Sequence, residues 1–484
     1  MANSKGTNML TVLEHCRVSP TRLDHNSITR KNLPLTFFDI FWLNWPSSSL
    51  VYFYDFPCSK SEFTQTIVPC LKNSLAIALQ YYFPLCGNLI IPATLSKTTT
   101  IPAIICLDGD SVSLTIAEFS SSTSTISEGF KHLSGNHARH VDELFGLVPQ
   151  LLPGDVTETG ADKNVVISPV FAVQLTLFPD HGFTVGLTRS HVVVDGKTMS
   201  SFMRTWASVC VMQLNDNEND YNYDHINNNL PFYDRSVIKD TKGIASIFLR
   251  GRLRMAETNS KAFAPQGLEK DTVQATFKMN RAQIQGLKNL VSAQVPHVST
   301  FVVVCAYVWT CMTKARAALG QDQKNDDFEV EEHFFIGMDT RARLDPPIPS
   351  NYFGNAILTC KCTLKSSQLL GGGEEGFVNA VEEIRKTLDG KTSSEEGVLK
   401  GFEMFFDHID AMKGQRKFGV SGSPKFDDYG LDFGWGKPKK FDFVSKKFSL
   451  AGTRDSNGDL EIGLCFSKDE MDAFTTIFTQ GLIN

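Results

Sequence analysis

The chain has 484 residues, 42% hydrophobic and 21% charged, which is globular composition and, at about 150 residues per domain, length for two domains. A net charge of −6 with no dense basic run excludes the electrostatic footprint of a nucleic-acid binder. The opening MANSKGTNML lacks signal- and transit-peptide character, no stretch approaches the ~20 apolar residues that cross a bilayer, and the eleven cysteines include no CxxC pair, so the expectation is a cytoplasmic monomer with reduced thiols, no bound metal and no membrane contact.

In chain order, VYFYDF (51–56) reads as a strand and SEFTQTIVPCLKNSLAIALQYY (61–82) as a helix, its apolar residues recurring at three and four. Pro84 and Gly87 in FPLCGNL stop that helix. PAIICL (102–107) is a second strand, and the polar tract 120–129 reads as an exposed loop. FAVQLTLF and FTVGLTRSHVVV flank the turn PDHG (179–182) as a hairpin, and GKTMSSFMRTWASVCVMQL follows with helical spacing.

The sharpest change of composition comes next. Residues 215–231, NDNENDYNYDHINNNLP, are polar, acidic and nearly free of aliphatics, and read as a flexible crossover linking an N-terminal domain (1–214) to a C-terminal domain (232–484). Beyond it come helices at 279–294 and 299–319, a strand in HFFIGMDT, a glycine-rich loop opening the helix FVNAVEEIRKTL, the strand DLEIGLCFS and a closing helix from Lys468. Strands and helices mix in both halves, which is an α/β pattern.

Two ionisable residues bracket an oily run in SHVVVDG (190–196). His191 and Asp195 admit three readings: a hydrogen-bonded core histidine with a helix-capping aspartate, a metal site short of a third ligand, or a general base at a strand end on a turn that Asp195 fixes. In the last reading the valines are scaffold, Gly196 permits close approach of backbone and substrate, and a near-neutral imidazole takes a proton from a hydroxyl. Spacing alone does not choose among the three.

A second stretch does. DFGWG (432–436), followed by Lys437 and Pro438, lacks the other loops of a kinase. His-x-x-x-Asp-Gly followed by DFGWGKP instead resembles the plant BAHD acyltransferases, which use acyl-coenzyme A. LPLTFFDIFWL (33–43), YYFPLCGNL (81–89), FYDRSVIKD (232–240), DTRARLDPPIPSNYFGNA (339–356) and SGSPKFDDYGLDFGWGKP (421–438) extend the resemblance over nearly the whole chain. It is nearest the branch acylating anthocyanins, flavonoids and other phenolic glycosides, with Ala356 where many members carry cysteine.

The resemblance implies two similarly built chloramphenicol-acetyltransferase-like domains, mixed β-sheets flanked by helices, with a channel between them. It implies His191 as base in a ternary complex, no permanently bound cofactor, and acyl-CoA as co-substrate with a phenolic or flavonoid glycoside as acceptor. Asp195 is expected to point away and pair with Arg341. Asp432 is set beside the catalytic pair as members of the family are described, although Asp432, Gly434 and Trp435 are expected to be structural. Ser421 and Ser423 are candidates to contact the oxyanion or acceptor, and Ser299, Thr300 and Lys197 to contact coenzyme A; an exposed polar turn also accounts for Ser421 and Ser423, and as capping residues Ser299 and Thr300 need no ligand. A malonyl donor brings a carboxylate that needs a cation. Some malonyl-transferring relatives have arginine where Met199 stands, which leaves Lys197 and Arg189; similarity around LTFFDIFWL and NYFGN nonetheless favours malonyl-CoA over hydroxycinnamoyl-CoA. Peptide-synthetase condensation domains and a non-catalytic binding protein are the other readings.

Overall fold

The computed structural model describes all residues except 1–9, 22–29, 93–100, 121–124, 152–154, 160–161, 216–229, 259–270, 321–329, 395–396, 413–414 and 483–484. Most of the crossover expected at 215–231 therefore lies outside the described residues.

Among the described residues four sheets form the frame. The largest has six strands, in the order Leu10–Val18, Val112–Phe119, Phe171–Phe178, Gly182–Arg189, Ser48–Tyr54, Lys440–Val444. Every residue of Phe171–Phe178, Gly182–Arg189 and Ser48–Tyr54 is buried. That is why these segments read as near-continuous apolar runs and not as alternation: both faces of a central strand are covered. The expected hairpin is present, with Phe171 opposite Arg189 and Phe178 opposite Gly182.

The sheets do not divide where the composition changes. Lys440–Val444, late in the chain, pairs antiparallel with Ser48–Tyr54, and Arg139–His140, from the first half, pairs with Thr272–Met279 beside Leu460–Ser467 and Phe448–Gly452. Edge strands left open invite aggregation; here each half closes an edge of the other. Sequence periodicity carries no information about such long-range pairing, and none was expected from it.

The helix expected at 61–82 begins one residue earlier, capped by Ser59, and contains a π-turn over Phe63–Ile67 before the α-helix Val68–Tyr81. Pro69 is the cause, since it supplies no backbone N–H and crowds the carbonyl four residues back. The loop expected at 120–129 needs correction. Thr125 and Glu128 form a capping box that starts the helix Ile126–Leu133, a Thr-x-x-Glu signal hidden inside a serine-rich tract. Thr300–Ala318 is a 19-residue helix long and apolar enough to span a bilayer by composition, but its apolar window is 72% buried inside the protein. It is a core helix, hydrophobic on all sides because helices Glu375–Thr392 and Lys468–Gln480 pack around it.

Candidate active site

The strand Gly182–Arg189 ends in a turn, and His191 stands on it, with Val192, Val193 and Val194 buried beneath. Those valines anchor the turn to the core, leaving the histidine half-buried with one edge free.

Two side chains hold the imidazole directly. Trp42 stacks on its face, with ring centroids 3.7 Å apart and planes 16° from parallel. Asn355 donates through Nδ2 to the carbonyls of His191 (2.9 Å) and Val192 (3.1 Å) and to Asp39 Oδ1 (3.0 Å). Its amide orientation is thereby fixed, so Asn355 Oδ1 is the acceptor facing His191 Nδ1 at 3.2 Å. Nδ1 therefore carries the hydrogen and donates it, and Nε2 is left as a lone pair. Among the described residues Nε2 has no hydrogen-bond partner.

Asp39 is itself held. Its Oδ2 accepts from the Thr36 amide and hydroxyl at 2.9 and 2.8 Å, Oδ1 also accepts from the Asn355 amide at 3.1 Å, and Arg235 stands 3.7 Å away. LTFFD, NYFGN and FYDRS thus meet on the back of one histidine. Asp39, Trp42, Arg235 and Asn355 were absent from the candidates above, although each lies within a quoted motif.

Burial, followed by the positive charges of Arg189 and Lys446, pushes His191 down to about 3, against weaker support from its own carbonyl and Asp195. The ring is neutral at physiological pH, which is the form a base requires.

Asp195 faces away from the ring. It caps the helix Gly196–Leu214 through the Thr198 amide at 2.9 Å, accepts from the Ala356 amide at 3.2 Å, and forms the expected ion pair with Arg341 at 2.8 Å. Arg341 is buried and also bonds Asp339 and the carbonyls of Tyr352 and Gly354. At Gly196 a Cβ would meet the Phe426 ring at 2.6 Å, so a side chain of the 421–438 segment approaches this glycine closely.

The remaining candidates are dispersed. Asp432 accepts from the amides of Gly434 and Gly436 at 2.7 and 2.9 Å, closing a turn in which Gly434 has φ 102°. Trp435 packs edge-on against Phe183 with centroids 5.9 Å apart, and Phe433 against Trp206. Phe183 is the second residue of the strand Gly182–Arg189, whose far end lies six residues on, or about 20 Å at the rise of a strand. Asp432 is accordingly not brought to His191 and does not belong with the catalytic residues; DFGWG buttresses the opposite end of the same strand. Ser421 bridges backbone-to-backbone with Ser449, and Ser423 caps a short turn through Lys425. Ser299 caps the helix beginning at Thr300 and bonds the Val302 amide. Lys197 pairs with Asp339 at 3.2 Å, and Met199 is buried in the core. Among the described residues no group of His, Cys, Asp and Glu has the arrangement of a metal site.

A neutral, tautomer-fixed imidazole on a strand end is equipped for proton transfer from a hydroxyl. The comparisons name the class. The Transferase family matches residues 9–480, and the chain belongs to it, in the plant BAHD branch that its motifs resemble. Two curated relatives are a malonyl-coenzyme A:anthocyanin 3-O-glucoside-6''-O-malonyltransferase of Dahlia pinnata, 38% identical over 98% of this chain and 97% of its own, and phenolic glucoside malonyltransferase 1 of Nicotiana tabacum, 38% identical over 98% and 99%. Among solved structures vinorine synthase matches with a TM-score of 0.65 at 17% identity over 96% of both chains, which places the fold as the two-domain chloramphenicol-acetyltransferase-like α/β fold.

Proposed function

We propose that the chain is an acyl-CoA-dependent O-acyltransferase that transfers a malonyl group to a sugar hydroxyl of an anthocyanin, flavonoid or other phenolic glycoside. The observation that carries the reading is His191 with Nδ1 bound to Asn355 and Nε2 open. The acceptor hydroxyl gives its proton to Nε2 as its oxygen attacks the thioester carbonyl. The tetrahedral oxyanion collapses, the C–S bond breaks, and the departing sulfur takes the proton from His191, leaving ester and free coenzyme A. No acyl-enzyme is needed.

Asp195 and Arg341 hold the histidine turn to the strand Ile357–Lys365 and its approach, so their part is geometric. The malonyl donor and glycoside acceptor are supported by the relatives' specificities over the full length of the chain. Free thiols at every cysteine support a reducing, cytoplasmic setting, and the chain is taken to act as a monomer. The boundary at 215–231 is kept as the division of the chain into two lobes, joined by the exchanged strands.

Replacing the base tests the reading. His191→Ala is expected to fold and to lose ~100-fold or more in turnover, followed as thiol release from malonyl-CoA with a panel of phenolic glucosides. Near-wild-type turnover by the folded variant overturns the mechanism. If instead hydroxycinnamoyl-CoA is used and malonyl-CoA is not, only the choice of donor falls.

A further inference from the structure

The sheet that presents His191 presents a second functional group at the same end. Arg189 lies opposite Ser48, and Ser49 lies opposite Val444. His191 is two residues past Arg189, and Lys446 is two residues past Val444, so both leave the sheet at one rim with the strand Ser48–Tyr54 between them. Two strand spacings put the chain ends roughly 10 Å apart, within reach of a lysine's four-carbon stem.

Lys446 is half-buried and, among the described residues, has no carboxylate partner. The charges acting on it and from it are like charges: Arg189 repels it, and it in turn disfavours protonation of His191. Burial and Arg189 bring its ammonium down to about 8, so it is still charged at neutral pH. The surroundings do not balance it. Asp195 is taken by Arg341, Asp339 by Arg341 and Lys197, and Asp39 faces Arg235. Burial raises Asp428, beside Arg189, to about 7, so it supplies only part of a negative charge. A chain of net charge −6 thus keeps a local surplus of positive charge around its base.

Such a surplus is costly unless a ligand anion completes it. The other cations are committed. Lys197 has Asp339; Arg189 is 5% exposed and bonds the Asp195 carbonyl at 3.0 Å; Arg252 is sealed beneath Phe41, Trp45 and Phe406. The phosphates of coenzyme A are held away from the thioester by the pantetheine arm, so the anion that comes to the base is one carried by the acyl group.

We propose that Lys446 is the residue that selects the acyl donor, its ammonium pairing with the free carboxylate of a malonyl group whose thioester carbonyl lies at His191. This rests on the acyltransferase reading above and replaces Lys197 and Arg189 as the candidate cation. The carboxylate, desolvated on entry, gains a charge-assisted hydrogen bond that an acetyl or coumaroyl group cannot form.

Lys446→Met removes the charge and keeps the length; Lys446→Arg keeps the charge. Binding of malonyl-CoA and of acetyl-CoA is titrated calorimetrically without acceptor, and KM is measured for both donors with a phenolic glucoside. Lys446→Met is expected to weaken malonyl-CoA about 10- to 100-fold, the scale of one charge-assisted hydrogen bond, and to leave acetyl-CoA unchanged, while Lys446→Arg retains the malonyl preference. Equal weakening of both donors, or no weakening of either, overturns the assignment. A wild-type enzyme that transfers acetyl or coumaroyl groups and not malonyl overturns it while the acyltransferase reading stands; one that transfers none of the three overturns both.

Discussion

An imidazole in water is half-protonated near pH 6.5. His191, packed against Trp42 and near two cations, is held to about 3, with its remaining proton fixed on Nδ1 by Asn355. The folded-state value lies below the unfolded one, so protonation favours unfolding: this residue's contribution to stability is present above about 6.5 and is lost as pH falls towards 3. For catalysis the consequence is that the free enzyme keeps its base unprotonated well below 6.5. The kcat/KM profile is therefore expected to run flat from about pH 7 to 5, and half-loss centred near 6.5 would show that the ring is not desolvated in this way. The histidine itself was legible in the sequence because its motif is short and contiguous. Asn355 was not, since it lies 164 residues away and reaches His191 only through the fold.

Among the elements, the two aspartates of the paired motifs separate. Asp195 caps a 19-residue helix and ion-pairs with buried Arg341, so Asp195→Ala removes a cap and leaves the buried guanidinium with Asp339 as its one remaining carboxylate among the described residues. Thermal denaturation is expected to show a loss of roughly 3–5 kcal/mol, with turnover falling too because the histidine turn loses its tether. Asp432 closes a half-buried turn about 20 Å along the strand from the base. Asp432→Ala should lower the melting temperature while the folded fraction keeps its turnover; loss of turnover at an unchanged melting temperature would return Asp432 to the chemistry. The aspartates of the two motifs thus do different jobs, and only their placement along the strand tells them apart.

For the whole molecule, the exchanged strands tie the halves together. Without Lys440–Val444, the strand Ser48–Tyr54, buried along its length, is left as an open apolar edge. A fragment of residues 1–214 is therefore expected to aggregate alone, and co-expression with 232–484 to restore soluble, active protein by re-forming that pair. A soluble, monomeric 1–214 fragment with native-like circular dichroism would show that the N-terminal lobe does not depend on the exchange.

By itself the sequence determined the α/β class, the hairpin that leads to His191, the long core helix Thr300–Ala318 and the family, because each is written in local periodicity or in a contiguous motif. The Asp195–Arg341 pair came through resemblance. Only the tertiary structure decided that LTFFD, FYDRS and NYFGN meet at Asp39 behind one imidazole, that Phe426 fills the space above Gly196, that Asp432 stands apart, and that Lys446 shares a rim with the base. These depend on strand order and register between segments hundreds of residues apart, and hydrophobic periodicity, which sets the face of each element, leaves the choice of neighbour to packing.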